Sequence, residues 1–130
     1  KILDAINELR KSNNIKNLEL DTNLSEIAKI KAKDMIDNNY LSHESENLGL
    51  PYDMLNKYKV SFLTVGENIA KSNNVEDFIK FVTTSTSYKE NSLSNDYNYT
   101  GLAVVPMDEY NYIYVQIFVG THKIQWVKSR

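Results

Sequence analysis

The sequence of 130 residues contains no cysteine, only four glycines and only two prolines. The lack of cysteine excludes disulfide bonds, thiolate nucleophiles and zinc sites built on thiolates. Because glycine and proline are scarce and no internal repeat is present, no flexible linker divides the chain. No run of about 18 apolar residues occurs, so the sequence predicts no membrane-spanning helix. The 15 basic and 17 acidic residues nearly cancel, which disfavours a nucleic-acid-binding role.

The composition itself is that of a folded domain. Hydrophobic residues make up 42% of the chain and charged residues 25%, which is typical of a soluble globular protein. A chain of this length is expected to form one domain with a single buried core.

Apolar residues recur at helical spacing in the first two thirds of the chain. This spacing predicts helices over residues 2–10, 24–38, 51–58 and 75–82. The second helix follows three candidate N-cap residues at positions 21–23, and its apolar stripe is interrupted only by Lys31.

The last third of the sequence has the pattern of strands instead. Residues 100–105 and 110–119 are predicted strands, joined by a turn at 106–109, and residues 124–127 are a candidate short terminal strand. Both faces of the 110–119 strand are non-polar or aromatic, which favours a central position. Helices followed by strands predict an α+β fold, with helices on both faces of a small antiparallel sheet.

Two segments contain the candidate functional residues. His43 lies just after the second predicted helix, and Glu67 lies between a glycine and an apolar pair. A carboxylate in such surroundings is often partly buried and then needs partners, and His43 is a candidate partner. The alternatives are an ordinary surface histidine and a glutamate that accepts hydrogen bonds from loop amides. The second histidine, His122, is expected to face solvent in the C-terminal tail.

Several motifs, taken in order, resemble the CAP superfamily of cysteine-rich secretory proteins, antigen 5 and pathogenesis-related 1 proteins. The most specific motif is GENIA at residues 66–70, which matches the family pattern in full. The weaker ones are AINELR at 5–10, LSH at 41–43, YTGLAV at 99–104 and VQIF at 115–118. More narrowly, the chain resembles the cysteine-free bacterial SCP-like extracellular domains. We expect residues 1–130 to form one such domain of a longer exported protein.

The resemblance implies a three-layer α-β-α sandwich with an open groove, in which two histidines and one or two glutamates hold zinc or another divalent ion. His43 and Glu67 match the first histidine and the glutamate, whereas Tyr88 stands where the second histidine is expected. Two protein ligands are too few for a tight zinc site, so no cofactor is expected, with weak divalent binding left open. The expected groove residues are His43, Glu67, Tyr88, Ser85, Asn91 and Gln116. We expect Glu67, His43 and Tyr88 to form a hydrogen-bonded trio.

For function, the resemblance implies a secreted or cell-wall-associated protein of a Gram-positive bacterium. We expect a binding module without enzymatic activity, whose extracellular partner is a cell-wall component, a lipid or a host protein. One alternative is a weak hydrolase that uses His43 as base and Glu67 as acid. Its candidate nucleophiles are Ser42, Ser45, Ser61, Ser85 and Ser87, none of which lies in an activating motif. The other alternative is a structural domain that displays other parts of the protein.

Overall fold

The structure is a computed structural model that describes residues 1–121. The helices are α1 (Ile2–Ser12), α2 (Thr22–Asp37), α3 (Pro51–Lys57), α4 (Val75–Thr84) and α5 (Thr86–Ser92). The strands are β1 (Glu19–Leu20), β2 (Thr64–Ser72), β3 (Tyr99–Pro106) and β4 (Tyr112–Gly120). The candidate terminal strand at 124–127 and His122 lie outside the described residues.

All four helices predicted from the sequence are present, and two of them begin at a side-chain cap. Asp21 is the N-cap of α2 and accepts a hydrogen bond from the amide of Leu24. Asn74 caps α4 in the same way through the amide of Asp77. Such caps satisfy backbone donors that the first turn of a helix leaves unpaired. None of the helices within residues 1–121 is long and apolar enough to cross a membrane.

The strands form one sheet in the order β1-β3-β4-β2. β4 is antiparallel to both neighbours, as its two apolar faces predict, while the short β1 pairs in parallel with β3. The sheet is therefore antiparallel apart from a two-residue addition at one edge. The other edge is β2, which the sequence pattern does not predict because Glu67 and Asn68 interrupt its apolar residues.

In place of the single core expected from the chain length, two hydrophobic cores, one on each face of the sheet, produce the three layers of an α-β-α sandwich. The core on the α2 and α3 face includes Leu24, Ile27, Met35, Leu55, Ile69, Val115 and Ile117. The core on the α1 and α4 face includes Ile2, Ile6, Ala70, Phe78, Val82, Tyr114 and Phe118. Alternate residues of β2 and β4 thus point to opposite helical layers, as the pleat of a strand requires.

The start of α2 lies directly on β3 because position 101 is glycine. A β-carbon there would come within 2.2 Å of the backbone carbon of Leu24 and 2.4 Å of the amide nitrogen of Ser25. The hydroxyl of Ser25 also accepts a hydrogen bond of 3.0 Å from the amide of Leu102. This contact fixes the position of α2, and hence of Lys31, relative to the sheet.

Arg10 connects α1 to the end of α5. Its side chain is buried and donates hydrogen bonds to four carbonyl oxygens, those of Lys16, Ser92, Ser94 and Tyr97. Burial lowers the pKa of the Arg10 guanidinium. Since Ser92 is the last residue of α5, this network holds the helix that carries Tyr88 and Asn91.

Candidate functional site

A cleft of about 200 Å³ lies between the loop that follows α2 and the short helix α5. Residues of β2 lie between these two walls. The cleft is lined by His43, Glu67, Asn68, Ile69, Ser87, Tyr88 and Asn91. It therefore combines His43, Glu67, Tyr88 and Asn91, four of the six residues that the sequence indicated.

The carboxylate of Glu67 is the most deeply buried charged group of the cleft, with its side chain 1% exposed. Its Oε1 lies 2.8 Å from Nδ1 of His43, whose imidazole is 57% exposed. Because a carboxylate only accepts hydrogen bonds, Nδ1 of His43 is the donor. The other ring nitrogen, Nε2, is then the one available to a ligand.

Lys31 supplies the positive charge that Glu67 needs. Its ammonium is fully buried and lies 3.4 Å from Oε2 and 3.5 Å from Oε1 of Glu67. It also donates a hydrogen bond of 2.6 Å to the backbone carbonyl of His43. One lysine on α2 thus neutralises the carboxylate on β2 and fixes the backbone of the loop that carries the histidine.

The loop between α2 and α3 is also held by Asp34, near the end of α2. The carboxylate of Asp34 accepts hydrogen bonds from the side chains of Asn38, Tyr40, Ser45 and Asn47. Partial burial acts to raise the pKa of Asp34, but the hydrogen bonds from Ser45 and Tyr40 and their neighbours outweigh it, so the pKa is lowered. Burial, together with the hydrogen bond to Asp34, raises the pKa of Tyr40 to about 12.

On the opposite wall, side chains of α5 bind the backbone of β2. The hydroxyl of Tyr88 donates to the carbonyl of Ile69 at 3.0 Å, and Nδ2 of Asn91 donates to the carbonyl of Glu67 at 3.1 Å. Asn91 also donates to Oδ1 of Asn68 at 2.9 Å, and Nδ2 of Asn68 donates to the carbonyl of Tyr88 at 3.1 Å. These bonds fasten α5 against the strand.

The sequence of residues 3–118 matches the family model of the Cysteine-rich secretory protein family, CAP. The chain belongs to the CAP family. This CAP domain is 34% identical over 121 residues to YkwD of Bacillus subtilis, covering 92% of the chain and 46% of YkwD. It is 34% identical over 108 residues to the membrane protein YlbC of the same bacterium, covering 79% of the chain and 30% of YlbC. The chain thus spans less than half the length of either relative.

Two solved structures resemble the CAP domain closely. One is an extracellular protein containing an SCP domain from Bacillus anthracis, with 33% identity and a TM-score of 0.78, covering 92% of this chain and 39% of that one. The other is an outer surface protein from Borrelia burgdorferi, with 26% identity and a TM-score of 0.84. The match covers 93% of this chain and 90% of that one. The α+β sandwich expected from the sequence is therefore the fold of this domain.

The expected trio of Glu67, His43 and Tyr88 is wrong in one member. The Tyr88 hydroxyl donates to the carbonyl of Ile69 and not to His43 or Glu67. The third member is Lys31, which the sequence contained as the interruption of an apolar stripe. A lysine in the buried face of a helix was the available signal, since such a residue is almost never buried without a partner.

Two of the expected groove residues lie outside the cleft. Ser85 is the residue between α4 and α5, at the N-terminal end of α5. Gln116 is fully buried in β4 on the face that carries Tyr114 and Phe118, where its Nε2 donates to the Thr100 hydroxyl at 3.1 Å. Asn68, by contrast, lines the cleft although the sequence did not single it out.

The residues of this cleft do not fit the family's metal centre. His43 and Glu67 are two candidate ligands, and a neutral phenol at position 88 is a poor third. The ammonium of Lys31 already lies against the carboxylate, where it would repel a cation. Within residues 1–121, no group of three or more histidine, aspartate or glutamate side chains is placed to hold a metal ion.

The Lys31–Glu67 pair can be tested by a double-mutant cycle. Lys31→Met leaves a buried carboxylate without its cation, so we expect the free energy of unfolding at pH 7 to fall by about 3 kcal/mol. Adding Glu67→Leu removes the unpaired charge and is expected to restore most of that loss. Urea unfolding of the natural domain, the two single variants and the double variant measures both changes in the free energy of unfolding. Lys33→Met, on the exposed side of α2, is the control and should change little, whereas simply additive losses would contradict the coupling.

The role of Asp34 has a defined pH dependence. We expect Asp34→Asn to lower the stability at pH 7 by about 2 kcal/mol, because it removes charge-assisted hydrogen bonds across the loop. The folded-state pKa of Asp34 is lowered, so its contribution is present above its unfolded pKa of about 4 and is lost as the pH falls through the folded value. Thermal unfolding should therefore separate the two proteins at pH 7 and bring them together in strong acid. The exposed Asp37→Asn is the control, and a gap that is equal at both pH values would refute the role.

Proposed function

We propose that this CAP domain is an extracellular binding module whose cleft works without a metal ion and without hydrolysing its ligand. The observation that carries the proposal is the buried ammonium of Lys31 against Glu67. A fixed internal cation neutralises the carboxylate that the family's metal centre would use. The cleft then has no unpaired charge of its own to attract a metal ion.

The extracellular location is supported by the relatives. The Bacillus anthracis structure is described as an extracellular protein and the Borrelia structure as an outer surface protein. These descriptions support our proposal of a secreted or cell-wall-associated protein, and the Bacillus relatives support a Gram-positive bacterium as its source. Its partner would be a cell-wall component, a lipid or a host protein.

The lining of the cleft supports binding of a polar, uncharged ligand. Asn68, Ser87, Tyr88 and Asn91 are neutral hydrogen-bonding side chains, and Glu67 is neutralised. The side-chain donors of Asn91 and Tyr88 are already committed to β2, two of them to backbone carbonyls and one to the side chain of Asn68. Within the described residues, the groups that remain for a ligand include Nε2 of His43, the hydroxyl of Ser87 and the backbone along β2.

A hydrolase is the second candidate, and one contact favours it. Nδ1 of His43 faces the carboxylate of Glu67 at 2.8 Å, and Ser87 lines the same cleft. A histidine oriented by a carboxylate is the base of serine hydrolases, where the carboxylate stabilises the imidazolium that forms. Here Lys31 already neutralises that carboxylate, which weakens the stabilisation, and we favour binding over catalysis.

Zinc titration tests the metal-free cleft. We expect no saturable site in the natural domain or in Tyr88→His, because Lys31 still occupies the carboxylate. The double variant Lys31→Met, Tyr88→His frees Glu67 and adds a second imidazole, so it should bind zinc and show a higher melting temperature with the ion than without it. Calorimetry and thermal unfolding measure the two effects. Tight binding of one zinc ion by the natural domain would overturn the proposal.

The hydrolase alternative is tested separately with His43→Ala. If the domain only binds, the natural protein and this variant should release fluorophore from quenched peptide substrates at the same background rate. Ser87→Ala serves as the matched control for the nucleophile nearest to the cleft. Turnover by the natural domain that disappears in both variants would establish the hydrolase instead.

A further inference from the structure

One edge of β2 faces the cleft instead of a neighbouring strand. β2 pairs with β4 on one side, and no other strand within residues 1–121 pairs with it. The carbonyls of Glu67 and Ile69 accept hydrogen bonds from Asn91 and Tyr88, so the backbone of these two residues points away from β4. In a strand, the amide and carbonyl of one residue point to the same edge. The amides of Glu67 and Ile69 therefore face the cleft as well.

The carbonyls and the amides on this free edge differ in their hydrogen bonding. Both carbonyls already have a donor from α5, whereas neither amide has an acceptor among residues 1–121. Each carbonyl oxygen has a second lone pair, so it can still accept one more hydrogen bond. Among the residues that the structure describes, the cleft thus presents two donors without an acceptor and two partly used acceptors, all on backbone atoms that the sheet and α5 hold in place.

The spacing of these groups matches one kind of ligand. Residues 67 and 69 are two positions apart in an extended strand, about 6.6 Å. The same distance separates the carbonyls of alternate residues in an extended peptide. The Lys31–Glu67 pair has no net charge with which to attract an ion, and the lining is too polar for an acyl chain.

We propose that the ligand of this cleft is a short extended peptide segment that adds to the free edge of β2. Two alternate carbonyls of the peptide accept from the amides of Glu67 and Ile69, and the peptide's own amides donate to the second lone pairs of the same residues. Tyr88 and Asn91 on one wall and His43 on the other enclose about 200 Å³, so only the central part of the peptide lies within the cleft and its ends extend beyond it. This inference rests on the proposed binding function and specifies its ligand.

The experiment uses the ¹⁵N-labelled domain and an acetylated, C-terminally amidated pentapeptide of alternating valine and threonine. We expect saturable NMR shifts of the Glu67 and Ile69 amides on titration. Ile69→Pro removes one donor and should weaken binding about tenfold. Proline is tolerated on an edge strand where the amide points away from the partner strand. The matched control is Lys71→Pro, on the same edge but outside the lining of the cleft, and it should bind as the natural domain does.

A second measurement does not depend on any variant. An analogue of the pentapeptide with ester bonds in place of its central amides has weaker acceptors and fewer donors, so it should bind the natural domain about tenfold more weakly. Equal binding of the ester analogue, or shifts of His43 and Tyr88 signals with both amides unmoved, would overturn the edge-addition mode.

A saccharide probe separates this inference from the function on which it rests. If a tetrasaccharide of N-acetylglucosamine saturates the cleft and the peptide does not, the peptide ligand is overturned while the binding module stands. Tight zinc binding or His43-dependent turnover would overturn the binding module itself. Peptide binding that requires the Ile69 amide supports both.

Discussion

The buried ammonium of Lys31 connects three parts of the chain that are distant in sequence. It extends from α2, neutralises Glu67 on β2 and donates its shortest hydrogen bond, 2.6 Å, to the backbone carbonyl of His43 in the following loop. A buried charge without a partner costs several kcal/mol, so these three groups constrain one another. The position of the histidine follows from this constraint, because both its backbone and its Nδ1 are held by the same pair. The cleft is organised around an ion pair within the protein.

The opposite wall is fixed by a different means. α5 has only seven residues and would not be stable alone, yet its side chains bind the carbonyls of β2 and its end is bound by Arg10. Donors on this helix and on α1 thus satisfy backbone acceptors that an edge strand and a helix end leave open. Both walls are therefore rigid at the backbone level, which reduces the ordering cost of binding a ligand between them.

The parts of the fold that the sequence predicts are those with a regular apolar period. α2 and α4 repeat at helical spacing, and β4 alternates between two apolar faces, so these elements and the faces that they bury could be predicted from the pattern alone. β2 could not, because an edge strand that carries a polar site breaks the alternation at Glu67 and Asn68. The family motif located the site in spite of this, since it specifies residues without requiring a secondary structure.

Two of the wrong predictions at the site concern Gln116 and Tyr88. In both cases the side chain points in a direction that the sequence does not specify. Gln116 pairs with Asn68 across the strands, but residue 116 and Glu67 point to opposite faces of the sheet, so the glutamine cannot reach the carboxylate. Tyr88 replaces a histidine in the motif, yet the phenol is longer than an imidazole and its hydroxyl finds the carbonyl of Ile69. Neither the face on which Gln116 lies nor the partner of the Tyr88 hydroxyl follows from residue identity. The first depends on the register of β2 against β4, and the second depends on where α5 packs.

The identity of the internal cation decides what the cleft can recognise. A divalent ion would draw lone pairs from imidazole and carboxylate groups and would leave open coordination positions for an anionic or polarised ligand. A lysine ammonium satisfies the carboxylate from the interior and offers nothing to the solvent side, since Lys31 is fully buried. In the proposed binding mode, recognition then falls to neutral groups at fixed positions, among them the amides of Glu67 and Ile69, which have no acceptor within residues 1–121. With both charges of the ion pair held inside, the specificity of the proposed cleft would come from hydrogen-bond spacing and not from electrostatic attraction.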